Sequence, residues 1–194
     1  MKHEIAPGLN IWTGRIATPT SYLRVIRPAV ARWLEPAVGP NYDGTLDELG
    51  QPALTRLAVG IDSTLRSNAQ LHELPELADI KIKIQEVAQA AWTALSGRED
   101  QTLVISEMFM NISQPNAGPV PRHDHDDVSL VVITYLQAHV GHGLLHLHID
   151  EATCWDLDVE SGMCVCIPGN LPHSAEPNTA PYDRCVVTTN FRVA

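Results

Sequence analysis

The chain has 194 residues, enough for a domain with a substantial core, and a formal net charge of −10 with a pI near 5.2. That balance argues against a nucleic-acid-binding surface without excluding a local basic patch, and no apolar run approaches the roughly 20 residues of a membrane-spanning helix. Met1-Lys2-His3-Glu4 lacks the apolar core of a signal peptide, so a cytoplasmic protein is expected.

Taken in chain order, the first hundred residues read as mainly helical with a short leading strand at Ile11–Ile16. Ser21–Leu34 reads as a helix interrupted or kinked at Pro28, residues 36–53 as a Pro- and Gly-containing loop, and Leu54–Ser67 is ambiguous. Pro75–Ser96 is the clearest helix. Leu77, Ile80, Ile84, Val87, Ala91 and Leu95 follow three-and-four spacing, Pro75 suits a first turn and Gly97 a stop.

From about residue 101 the pattern changes to short strands with turn punctuation: Thr102–Ile112, Val128–Leu136, Gly143–Ile149, Cys154–Val159, Met163–Ile167 and Cys185–Val193. Val128–Leu136 is apolar and β-branched without alternation, as in a strand buried on both faces. Pro168-Gly169-Asn170 is a turn leading to His173. Helices followed by about seven strands predict a mainly β fold with N-terminal helices packed outside a closed or sandwiched β-unit. We expect a single domain over 1–194, with 1–100 as a helical support region and 101–194 as the β core. The four cysteines (Cys154, Cys164, Cys166 and Cys185) form no Cys-x-x-Cys pair and read as small buried apolar residues in a reducing compartment.

Arg122-His123-Asp124-His125-Asp126-Asp127 concentrates metal-ligand side chains, with His173 far downstream and Arg184 beyond it. In an extended strand His123, His125 and Asp127 share one face. Two triads fit: His125, Asp127 and His173, the two-His-one-carboxylate set of non-heme iron oxygenases, or His123, His125 and His173. Parity alone does not separate them; the carboxylate set is placed slightly ahead on chemistry, with His123 as a ligand or supporting donor. A carboxylate ligand would favour hydroxylation or desaturation over halogenation, since it leaves no site for a halide.

His123–Leu136 resembles the His-x-His…Ser-Gly-Val-Tyr-Tyr-Leu pattern of a family of small 2-oxoglutarate/Fe(II) oxygenases. Glu107–Ile112 is similar to that family's Trp-Phe-Asn-Ile strand, Ile167–Asn178 to its Phe-Pro…His-Ser-Val-Glu-Pro-Asn segment, and Arg184–Phe191 to its Arg-Ile-Ser-Ile-Ser-Phe-Asn ending. The resemblance covers roughly 103–192. Departures are Val131-Val132 for Ser-Gly, Thr134 for the first Tyr, and Val186 two after the arginine. The resemblance implies a double-stranded β-helix (jelly-roll or cupin-like) core, with Fe(II) and 2-oxoglutarate as cofactors. It implies His173 as the distal ligand and Arg184 as the partner of the co-substrate's far carboxylate. It also aligns the family's His-x-His on His123 and His125, against the chemical preference for Asp127.

Arg184 suits that role because a guanidinium forms two parallel charge-assisted bonds to a carboxylate; otherwise it would be a surface arginine beside Asp183 or Glu176. Tyr135 is either a further contact to the same carboxylate or a core aromatic. His146 and His148 share a strand face and form a rival metal pair, read here with His139 and His142 as pocket-lining or edge residues. Trp12 and Trp155 are candidates for lining the substrate pocket, with core packing as the default reading. The expected activity is hydroxylation of a small-molecule, amino-acid or peptide substrate by molecular oxygen. The alternatives are a cupin-type three-histidine dioxygenase without 2-oxoglutarate, a non-catalytic metal- or ligand-binding barrel, and a zinc-binding structural protein using residues 139–148.

Overall fold

The structure, a computed structural model, describes residues 1–30, 35–36, 64–67, 69–125 and 127–194. It opens with a hairpin of β1 (Lys2–Ala6) and β2 (Leu9–Arg15), turned at Gly8 with φ 76°. Only the second strand has a clear sequence signal. β1 is the sheet edge and half solvent-facing, so Lys-His-Glu carries no apolar alternation. α1 spans Pro19–Val30 with Pro28 inside its last turn; the expected continuation to Leu34 lies outside the described residues. Most of the loop expected over 36–53 and residues 54–63 also lie outside them. What is described nearby is β3 (Glu35–Pro36) and β4 (Thr64–Arg66).

Pro75–Leu77 forms a 3-10 turn that leads into α2 (Ala78–Ser96). Ile80, Ile84, Ala88 and Ala91 are its buried stripe, and Gly97 ends it in the left-handed region at φ 70°. Eight strands follow: β5 (Leu103–Ser113), β6 (Val120–His123), β7 (Leu130–Gln137), β8 (Leu145–His148), β9 (Cys154–Leu157), β10 (Met163–Pro168), β11 (His173–Ala175) and β12 (Arg184–Val193).

Their antiparallel pairings are nested: β5 with β12, β6 with β11, β7 with β10, β8 with β9. A long hairpin folded over on itself in this way is a jelly roll, the double-stranded β-helix. The larger sheet runs β1-β2-β10-β7-β12-β5-β4-β3 and the smaller β6-β11-β8-β9.

Two apolar layers result. Ile133, Tyr135, Val165 and Ile167 of the larger sheet meet Leu145 and Leu147 of the smaller. On the other face, Val132, Leu136, Cys166 and Phe191 meet Leu23 and Ile26 of α1 and Ile80 and Ile84 of α2. β7 lies between the layers, which explains its unbroken apolar run: odd residues enter one layer and even residues the other. Trp12 packs on the helix side and Trp155 between the sheets. Cys164, Cys166 and Cys185 are buried as expected, whereas Cys154 is exposed. Among the described residues no helix is long and apolar enough to cross a membrane.

Candidate metal centre

The nested pairing closes the long sequence gap between the two halves of the motif. β11 pairs with β6 so that His173 lies directly opposite His123, and His173 also pairs with Leu147, whose side chain is in the inter-sheet core. Residues opposite one another share a face, so both imidazoles point between the sheets. His125 follows β6 in irregular backbone, where its N–H donates to the Gly169 carbonyl at 2.8 Å. One nitrogen from each of His123, His125 and His173 falls within 4.8 Å of the others. The His125 and His173 rings are nearly parallel, 4° apart, with centroids separated by 5.4 Å.

Asp127 is not in this group. The strand stops at His123, and Val128 N–H donates back to the His125 carbonyl at 3.1 Å, closing a turn. The extended-strand parity that placed Asp127 beside the histidines therefore does not hold beyond His123, and Asp127 stands exposed in the turn.

The tautomers are set by local bonds. His123 Nδ1 donates to the Pro121 carbonyl at 2.8 Å, and His173 Nδ1 to the Leu171 carbonyl at 3.1 Å. Each leaves Nε2 with its lone pair. His125 Nε2 is buried with no hydrogen-bond partner among the described residues. Burial lowers the pKa of all three; His123 and Arg66 add to this at His125, which falls to about 4, and His173 lies well below its ordinary value. Three neutral imidazoles with converging nitrogens, one buried and unsatisfied, are a fit donor set for a divalent transition metal.

Arg184 is buried (3% exposed) at the start of β12. One guanidinium nitrogen donates to the His142 and Glu176 carbonyls, the latter at 3.0 Å, and the other reaches Ser113 Oγ at 3.5 Å. It is neither on the surface nor paired with a carboxylate among the described residues: Asp183 instead pairs with Arg27 of α1. Tyr135 is buried, its pKa pushed up to about 12 by burial with the Arg184 charge opposing, so its hydroxyl stays protonated. His142 is a brace, not a pocket residue. Its Nδ1 accepts from the His139 N–H at 2.9 Å, and Nε2–H donates to the Tyr182 carbonyl at 3.1 Å.

Two contributors had no legible signal. Arg66 lies in the ambiguous stretch before Ser67, yet its guanidinium stacks 3.8 Å over the Phe109 ring and its charge acts on His123 and His125. Burial lowers its pKa to about 9, with Glu107 opposing. Gly169 reads as a simple turn residue. A Cβ there would fall 2.1 Å from the Val128 carbonyl oxygen and 2.8 Å from that of His125, so only glycine lets the β10–β11 loop approach the His125 turn.

No protein-family model matches the chain, and no curated protein matches its sequence. Solved structures do match its fold. SnoK, a non-heme α-ketoglutarate-dependent carbocyclase from nogalamycin biosynthesis, aligns at TM-score 0.68 and 14% identity over 95% of this chain and 80% of its own. EvdO2 from Micromonospora carbonacea var. aurantiaca aligns at 0.64 and 18% identity over 100% and 93%. A prolyl-4-hydroxylase of Pseudomonas putida aligns at 0.61 and 16% identity over 95% and 92%. The fold is thus the double-stranded β-helix seen in 2-oxoglutarate/Fe(II) oxygenase structures.

Proposed function

We propose that this protein is an Fe(II)- and 2-oxoglutarate-dependent oxygenase in which His123, His125 and His173 hold the metal and Arg184 receives the far carboxylate of the oxo acid. The observation that carries this reading is the convergence of three neutral imidazoles at the β6–β11 pair, with His125 Nε2 buried and unpartnered among the described residues. The SnoK and EvdO2 likeness supports the cofactor assignment, one EvdO2 structure being a complex with 2-oxoglutarate. Bound together, iron and 2-oxoglutarate would supply oxygen activation coupled to decarboxylation of the oxo acid.

The chain's own residues do the rest. Pro121 and Leu171 carbonyls fix two rings so that Nε2 faces inward. The inter-sheet core of Ile133, Leu147 and Ile167 keeps water from one side. Arg184, held by backbone carbonyls, remains a buried cation to which Tyr135 can add a neutral hydroxyl donor. The substrate is a small molecule, amino acid or peptide, and hydroxylation is the outcome we favour. Exclusion of halogenation weakens here, because it rested on a carboxylate ligand.

The all-histidine cluster equally suits the second reading, a cupin-type dioxygenase without 2-oxoglutarate; the buried Arg184 favours the first. Anaerobic titration with Fe(II) and 2-oxoglutarate separates them. The first predicts a visible metal-to-ligand charge-transfer band and succinate release on admitting oxygen. Iron binding without either would select the second.

A further inference from the structure

The opposite face of the smaller sheet carries a second group of ligand-type side chains. His146 of β8 pairs across with Asp156 of β9, and His148 with Cys154. Their neighbours Leu145, Leu147, Trp155 and Leu157 enter the inter-sheet core, so these four side chains share the outer face. Ligand atoms of His146, Cys154 and Asp156 lie within 4.8 Å of one another. His146 Nδ1 contacts Asp156 Oδ1 at 2.7 Å, and its Nε2 faces Glu176 Oε1 at 3.6 Å. Glu176 is itself held, its other oxygen accepting the Leu144 N–H at 2.9 Å. Cys154, the exposed cysteine, therefore sits beside an imidazole and a carboxylate on paired strands whose backbone fixes their spacing.

We propose that this face binds a Zn2+-class divalent cation through Cys154 Sγ, His146 Nδ1 and Asp156 Oδ1, with Glu176 orienting His146 through Nε2–H. One thiolate, one imidazole and one carboxylate match the mixed donor set of borderline-soft ions, whereas Mg2+ and Ca2+ take oxygen ligands. With the thiolate, Asp156 and Glu176 the group carries three negative charges toward the cation. On binding, Cys154 releases its thiol proton to solvent as the sulfur–metal bond forms, and the His146 proton moves from Nδ1 to Nε2. The fourth position stays open to solvent. The cation would clamp β8 to β9. This inference does not depend on the oxygenase reading, since the two sites lie on opposite faces of the sheet and share no ligand; Glu176 alone touches both, its backbone carbonyl at Arg184 and its side chain at His146.

The thiolate distinguishes the sites spectroscopically, because the histidine cluster contains no sulfur and the other three cysteines are buried. Co2+ is titrated into the full chain and the near-ultraviolet thiolate-to-cobalt charge-transfer band followed. We expect the band to saturate within two equivalents, the histidine cluster taking the other cobalt ion without a thiolate band, and to vanish when excess Zn2+ is added. Cys154→Ser should abolish it, His146→Ala and Asp156→Asn should weaken cobalt binding at this band more than tenfold, and His173→Ala should leave it intact. No band in the wild-type chain would overturn the proposal. So would a band unchanged in both His146→Ala and Asp156→Asn, which would mean a thiol binding cobalt unaided. The exposed positions of Cys154 and Asp156 keep these variants foldable, which circular dichroism checks.

Discussion

His123 and His173 reach the same state by the same local device, a ring N–H given to the carbonyl two residues upstream. That bond fixes the tautomer and the ring angle before any metal arrives, and removing a ligand removes both. His123→Ala is expected to weaken Fe(II) binding by well over tenfold, while Asp127→Ala, an exposed turn change, should leave it unchanged; metal stoichiometry after desalting decides. The reverse pattern would restore the carboxylate triad. At Arg184 the expected effects are separable. Arg184→Ala should raise the 2-oxoglutarate requirement roughly 30-fold or more, about 2 kcal/mol of lost charge pairing, with iron still bound. It should also lower stability by roughly 1–3 kcal/mol, because the His142 and Glu176 carbonyls lose their donor. An unchanged requirement in a destabilised variant would assign Arg184 to structure alone.

At the scale of elements, two glycines test two mechanisms. Gly97 caps α2 at φ 70° with nothing within 4 Å of an added Cβ, so Gly97→Ala carries only the left-handed backbone penalty, about 1–2 kcal/mol. Gly169 has a negative φ but no room. Gly169→Ala must push the His125–Val128 turn aside, costing about 1–3 kcal/mol as overpacking and moving a ligand. We expect Gly97→Ala to lower Tm with normal metal affinity. Gly169→Ala should lower metal affinity more than its Tm shift accounts for. Equal metal affinity in the two variants would show that the β10–β11 loop does not position His125. The spacing of α2 and the β7 run were legible because each element buries a long regular face. β1, β4 and the end of β6 were not, since an edge strand, a three-residue strand and a turn bury too little to leave a periodic trace.

For the whole molecule, the buried imidazoles tie stability to pH. His125 takes a proton near 6.5 when unfolded and near 4 when folded. Between those values the unfolded chain holds the extra proton, so acidification from pH 6.5 toward 4 destabilises the metal-free fold, and the loss is complete below about 4. The shift is worth a few kcal/mol, on the order of 3 for His125, with His123 and His173 acting in the same direction. Denaturant midpoints of the metal-free protein should fall across this window and be flat above pH 7. A midpoint constant from pH 7 to 4 would mean that the three rings are solvated. Divalent metal should raise the midpoint at neutral pH and lose that effect as protons compete for the same nitrogens.

By itself the sequence determined helix α2, the strand-rich second half, the double-sided burial of β7 and the histidines and arginine available for a site, because each follows from local periodicity or residue chemistry. Only the tertiary structure decided which of them meet. Pairing of β6 with β11 brings His173 opposite His123, the turn after His123 carries Asp127 away, and the folded chain encloses Arg184 among carbonyls instead of beside Asp183. Those outcomes depend on non-local strand register and on where a strand stops, and neither is encoded in the spacing of residues along a segment.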